Sequence, residues 1–440
     1  MYGVTQSAEW MTAARVLRRS GFGTTGSTVD AAVNDGDLSA TIAAILDTRF
    51  ADDPGARSTP IPEFRSALPP KDVSDTEAEK IRKTRQQQTK ELTYWWPRRM
   101  VAIEQPIIEK LTFVWHNHFA TAASPVRSPQ LMAIQNERIR ERCLGDFKSL
   151  AYSMLTDGAM LRWLNGNSNT AEAPNENLSR EFLELFTLGH GNAYSETDIR
   201  EGARALTGWV VSRDGSVTFA NDRHDSEKKT VLGVTGNLDA AAFCDIALEQ
   251  PGSARYIATR LWQQLAANTP PTPQTLERLV EAYGPERDLK TLTAAILGDP
   301  AVLDGQATRI NGPIDWFIGL LRALRVSLED QKTNGDVARR LKALGQLPFH
   351  PPNVGGWPNG QAWLSTAPVF LRISAATMAA TNGDISLVAD SPVDERIDAV
   401  GYLLGVGQWS GQTAKVLGRH RRDPVALVAA AANTPEYVTI

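Results

Sequence analysis

The sequence holds only two cysteines, Cys143 and Cys244, in 440 residues. They stand far apart without a metal-ligand spacing, and one bridge is the most they could form, which excludes a disulfide-stapled scaffold. Both read as small buried hydrophobes. Long apolar runs are missing as well: no stretch reaches about 18 residues, so no membrane-spanning helix is expected. Charge of one sign is also lacking. A net charge of -4 gives the chain as a whole no reason to bind nucleic acid or an anionic membrane, although local patches are a separate matter. The N-terminus lacks an export signal, since Arg15, Arg18 and Arg19 arrive with no apolar core before them, and a cytoplasmic location is expected. There is no Walker A pattern, no G-x-G-x-x-G after a strand, no H-E-x-x-H and no G-x-S-x-G. The familiar nucleotide-binding, zincin and α/β-hydrolase chemistries are thereby set aside.

What the chain does have is helical periodicity. At roughly 150 residues per domain its length suggests about three domains, or one large helical unit. Apolar spacing predicts helices over Ala8–Arg19, Leu38–Asp47, Ile103–Phe119, Pro129–Leu144, Phe147–Leu155, Glu176–Leu188 and Glu196–Leu206, then repeatedly from 239 to 344 and again from about 366. Asp75–Met100 reads as a helix with a basic, glutamine-rich face that closes on Tyr94-Trp95-Trp96 before Pro97. Basic residues beside aromatics suit single-stranded nucleic acid, but a solvated face with inward aromatics is the better reading, and no nucleic acid partner is expected. Five prolines make 51–75 a loop. Trp209–Val211, Ser216–Phe219 and Thr230–Gly233 have strand character. The expected fold is therefore mainly α: a large multi-helix, bundle-like body with a short β-hairpin or small sheet inserted around 209–235. It forms one unit over 1–440, with possible subdivision into 1–165, 166–300 and 301–440. A weak recurrence of helix, polar break and apolar residues at Ala43–Phe50, Met154–Leu161, Ala294–Leu303 and Val428–Val438 reads as a shared helix-turn device.

Five polar segments interrupt this apolar pattern. In Trp115-His116-Asn117-His118-Phe119 the two histidines invite a metal reading. Positions i and i+2 of a helix lie about 200° apart, however, so a simple chelate is disfavoured. His118 falls on the apolar stripe, which leaves His116 as the better ligand or base. In Asn175–Leu188, Asn177, Glu181 and Glu184 share one edge, and Arg180 stands one turn before Glu184. A half-buried Glu181 needs a partner, or its pKa rises, which makes it a candidate base or metal ligand. Arg204, on the following helix, is placed to reach Glu181 or Glu184; a buried Arg–Glu network would fix the hairpin without any catalysis. His224-Asp225 and Lys229 fall in the β-like insertion, where loop placement raises their functional interest. The fifth segment, Phe349–Gly360, is an irregular loop. Asn353, Trp357 and the following Trp363 either line a pocket or plug the end of the body.

In this order the segments LTFVWHNHFAT (111–121), NENLSREFLELFTLG (175–189), EGARALTGW (201–209), His224-Asp225 with Lys229, and PPNVGGW (351–357) with Trp363, together with LRRSGFG (17–23), resemble the bacterial domain-of-unknown-function 1800 family. The resemblance covers nearly the whole chain. It implies no established activity. It does imply a partner, the neighbouring-gene product of the domain-of-unknown-function 1501 family, whose members look like sulfatases or alkaline phosphatases, and with it an envelope or polysaccharide context; some relatives are exported. The glycine usual in the family's His-Asp segment is replaced here by Ser226-Glu227.

Two readings follow. In the first, the protein is a metal-assisted or acid–base enzyme acting on an anionic or carbohydrate-related substrate. His116, Glu181, Glu184, His224 and Asp225 would do the chemistry, with His116, Glu181 and Glu184 holding a divalent metal. Asn177, Arg180, Arg204, Lys229, Asn353, Trp357 and Trp363 would bind substrate. In the second, it is a non-catalytic accessory or binding protein whose polar motifs form a buried structural network.

Overall fold

The computed structural model describes residues 5–64, 73–191 and 194–440. Among them are 25 α-helices and two small antiparallel sheets of two strands each. The buried hydrophobic residues form one continuous cluster that runs from Val16 to Val438, with a small satellite of Trp10, Ala13, Ala14 and Val29. No helix among the described residues is long and apolar enough to cross a membrane.

Helix starts follow local chemistry. Ser7, Ser74, Ser128, Asp146, Asp239, Asp288 and Asp330 each cap a helix by accepting a backbone N–H from its first turn. The recurrent helix-turn device has the same basis. Asp157 caps Gly158–Trp163 and Asp299 caps Pro300–Leu303, each just after a helix has ended.

Several elements differ from expectation. Gly26–Asn34 is an additional helix, capped by Thr25. The proline-rich stretch contains a short helix, Pro54–Ser58, because Asp53 caps it and Pro54 fits its first position; its residues 65–72 lie outside the described residues. Asp53 also accepts from the Glu104 and Gln105 amides at 2.9 and 2.8 Å. That holds 103–106 in a turn, so the helix expected from Ile103 is Ile107–His118. Asp75–Ala102 continues through Pro97. Trp95, Trp96, Arg99 and Met100 are all buried, and Trp95 and Arg99 both donate to the Thr59 carbonyl. This packing outweighs the roughly 3 kcal/mol that an interior proline costs. The β insertion is two separate hairpins: Trp209–Val211 pairs with Val217–Phe219, and Lys229–Val231 with Val234–Gly236.

One buried charge ties the central helices together. Glu109, on Ile107–His118, is fully buried. Arg140 of Pro129–Arg142 donates to both its oxygens at 2.7 and 2.9 Å. Trp96 Nε1 donates at 2.7 Å, and Arg99 Nε lies 3.0 Å away. Phe50 and Trp95 cover both guanidiniums. Burial alone would push the Glu109 pKa up; Arg140, Arg99 and Trp96 overcome that and hold it below the usual carboxylate value. Glu109→Gln leaves Arg99 without its buried anion and Arg140 with Glu137 alone, and is expected to lower the unfolding free energy by about 3–5 kcal/mol in urea titrations. A loss below about 1 kcal/mol would mean that the network is solvated or dispensable.

Candidate functional site

The helix Ile107–His118 is buried along its whole length. His116 and His118 are therefore both interior, and phasing does not separate them by exposure. His116 Nε2 accepts the Phe349 N–H at 3.3 Å. Its ring packs against Trp96, Phe349 and Trp357 at centroid distances of 5.3, 5.4 and 5.7 Å. Phe349 has φ +65°, unusual for a residue other than glycine, and its carbonyl accepts from the Ala123 amide. With its Nε2 lone pair on an amide and its proton on Nδ1, the imidazole has no lone pair left for a metal. His116, expected as the better ligand or base, is thus turned to the 349–357 loop. Burial, then His350, pushes its pKa down to about 3.

His118 Nε2–H donates to the Phe186 carbonyl at 2.9 Å. Burial, then Arg260, pushes its pKa down to about 3. The segment expected as one α-helix over Glu176–Leu188 changes pitch: Asn177–Glu181 is α and Phe182–Thr187 is π. The wide turn leaves carbonyls for distant partners. His118 takes that of Phe186, and Tyr256 Oη that of Leu185 at 2.7 Å.

Asn117 anchors the proline- and glycine-rich loop. Its Oδ1 accepts from the Trp357 amide at 2.8 Å. Gly356 has φ +85°, and a Cβ there would lie 2.3 Å from Asn117 Oδ1, so this position admits no side chain. Trp357 is buried, stacked on Phe113 at 5.4 Å. Trp363 is buried too, and its carbonyl accepts from Arg372. Neither indole is an open platform for a ligand, which corrects that expectation. Asn353 is exposed and turns the loop by accepting from the Gly355 amide at 2.9 Å.

The two arginines are not arranged as expected. Arg180, not Arg204, crosses to the neighbouring helix. It grips Glu196 with two bonds of 2.8 and 2.7 Å and also meets Glu176 at 2.9 Å and Glu184 at 3.6 Å. Glu184 lies 3.5 Å from the exposed His190. Glu181 is half-buried; burial, then Glu184, pushes its pKa up. Asn177 is exposed and donates to Asn165.

Arg204 turns the other way, into the insertion. It holds Asp225 at 2.6 and 3.2 Å and Glu201 at 2.9 and 3.1 Å. Glu201 and Asp198 accept from the Thr230 and Leu232 amides, which pins the second hairpin to helix Glu196–Ala205. His224 Nδ1–H donates to the Thr207 carbonyl at 3.0 Å, and Thr207 Oγ1 accepts from the Asp225 amide. Lys229 is buried and donates to the Glu227 carbonyl and to Asn237. Burial pushes its pKa down.

The singled-out residues thus fall into separate pairings. His116 and Asn117 serve the 349–357 loop, Arg180 serves Glu176 and Glu196, and Arg204, His224, Asp225 and Lys229 serve the insertion. Among the described residues, no three His, Cys, Asp or Glu side chains are grouped to hold a metal, and His116, Glu181 and Glu184 are not brought together as a ligand set. Sequence reasoning missed a cleft of about 790 Å³ whose lining includes Phe22, Thr24, Thr25, Arg322, Arg325 and Tyr402. Arg325 there has φ +50°, and Thr24 Oγ1 is buried without a hydrogen-bond partner. The signal in the sequence was LRRSGFG, which carries part of the lining; its one hydroxyl, Ser20, is turned back onto the Leu17 carbonyl.

The two histidines make stability depend on pH. Both are neutral in the folded protein, with pKa values lowered to about 3, whereas an unfolded histidine ionises near about 6.5. The unfolded chain therefore takes up their protons first. Their contribution is full above about pH 6.5 and is lost progressively toward about pH 3. Each adds a slope approaching about 1.4 kcal/mol per pH unit within that window. Urea titrations at about pH 7 and about pH 5 are expected to show His118→Gln losing one such increment relative to wild type. An unchanged slope would place His118 in contact with solvent.

No curated protein and no solved structure matches the chain. Residues 15–439 match the family model described as "Protein of unknown function (DUF1800)", so the chain belongs to that family.

Proposed function

We propose that the protein is a non-catalytic accessory or binding protein whose polar motifs are internal fastenings of the fold. One observation carries this reading. Most of the charged groups and histidines that first suggested chemistry, Glu181 apart, are engaged by partners within the chain, most completely at Arg204, with two bonds to Asp225 and two to Glu201. A catalytic group must present an atom to the reacting centre; Arg180, Arg204, Asp225 and Lys229 spend their donors and acceptors on neighbouring segments instead. The accessory role fits the partner implied by the family resemblance, a neighbouring-gene product of the domain-of-unknown-function 1501 family.

One observation favours the competing acid–base enzyme. Glu181 is half-buried, and its pKa is raised by burial and by Glu184, as befits a proton-transfer group. Glu181 does not line the cleft of about 790 Å³, so the accessory reading is preferred.

A double-mutant cycle on Arg204→Ala and Asp225→Ala tests the fastening. The expected coupling is about 1–3 kcal/mol in urea titrations; a coupling near zero would remove this reading. Capture of the neighbouring-gene product by the full chain tests the accessory role separately, and absence of capture at any concentration tested would count against it.

A further inference from the structure

The helix Thr366–Asn382 is inverted in its first described turns. Its inward stripe is Arg372, Ala375, Ala376, Ala379 and Ala380, all buried. Its large apolar side chains face out: Phe370 is 77% exposed, Ile373 46%, Val369 40% and Leu371 37%, with Leu364 just before it at 47%. Half of the ten exposed large hydrophobic residues among the described residues fall in this one stretch. A concentration of exposed apolar side chains of this kind marks an interaction surface.

Charge and shape narrow the occupant. Leu371 borders a groove with Asp336, Arg339, Arg340 and Ala343 of the helix Gln331–Ala343. Asp336 pairs with both arginines, so one carboxylate stands against two cations and the rim is positive; Lys342, two residues on in the same helix, is exposed. Helical phasing spreads Val369, Ile373, Phe370 and Leu371 through about 200°. A docked partner helix buries a stripe of roughly 100°. Apolar side chains on an arc twice that wide fit a medium that closes around them, and the cationic rim fits an anionic one. We propose that this stretch docks the protein on the surface of an anionic lipid bilayer, with Phe370 and Ile373 entering the interface and Arg339 and Lys342 meeting headgroups. This surface is separate from the polar motifs and goes beyond the accessory role.

The test is flotation of the full chain with vesicles of phosphatidylcholine plus phosphatidylglycerol, compared with phosphatidylcholine alone. The wild type is expected to float with the anionic vesicles and to be released by high salt. The double variant Phe370→Ser/Ile373→Ser removes only exposed apolar side chains; it should unfold at the wild-type temperature and bind at least about tenfold more weakly. Lys342→Glu should weaken binding to the anionic vesicles alone. Failure of the wild type to float overturns the proposal, as does a serine variant that binds equally well. A self-associating wild type that the serine variant renders monomeric would assign the patch to a second copy. Loss of neighbouring-gene product capture in the serine variant, with flotation intact, would assign it to a protein partner. Either result overturns the bilayer.

Discussion

A carboxylate with no access to water must be met by cations from several directions, and Glu109 imposes that requirement on the centre of this molecule. Trp96 and Arg99 come from one helix and Arg140 from another, with Arg140 steadied in turn by Asn136. Three helices are thereby held in one relative orientation. That orientation presents the far end of Ile107–His118 to the rest of the chain. His116 and Asn117 then reach the 349–357 loop, and His118 reaches the π turn. The reach of the motif residues depends on the ion network a few residues upstream in the same helix.

The helical body was legible because apolar periodicity and capping residues act locally. Phe147–Leu155 has the bounds that its pattern predicts, with Asp146 as its cap. Features set by distant partners were not legible. Nothing in Ile103-Glu104-Gln105 announces that Asp53 will hold two of its amides in a turn. Phe182–Thr187 has an ordinary helical pattern, and its wider pitch goes with carbonyl partners on two other helices. The motif segments were legible as polar interruptions of the apolar pattern. Their pairing was not, because Arg180 and Arg204 both lie within a few residues of several carboxylates, and spacing alone does not choose among them.

A common physical need connects these side chains. A large helical body joined by irregular loops contains many backbone groups that no helix or strand satisfies, and each costs free energy if buried alone. Polar side chains far away in sequence meet that need. His116 serves the Phe349 amide, Asn117 the Trp357 amide and Tyr256 the Leu185 carbonyl. Arg18 serves carbonyls at Glu436, Tyr437 and Thr439, and Arg322 those of Met100, Val101 and Ile103 at the end of a helix. Each such bond joins two segments that share no continuous secondary structure.

This need also explains why a specific pattern of His, Asn, Arg and Glu can accompany the fold without naming a reaction. An apolar core position accepts several side chains of similar volume. A buried amide facing an imidazole nitrogen, or a glycine whose Cβ would strike Asn117, accepts very few. Residues of the second kind define the architecture as sharply as catalytic residues define an active site, and by sequence alone the two look the same. What separates them is whether the side chain's donors and acceptors are already engaged. By that criterion Thr24, in its cleft, and the outward face of Thr366–Asn382 differ from Asn117, Arg180 and Arg204, because their polar or apolar groups remain without a partner of their own kind.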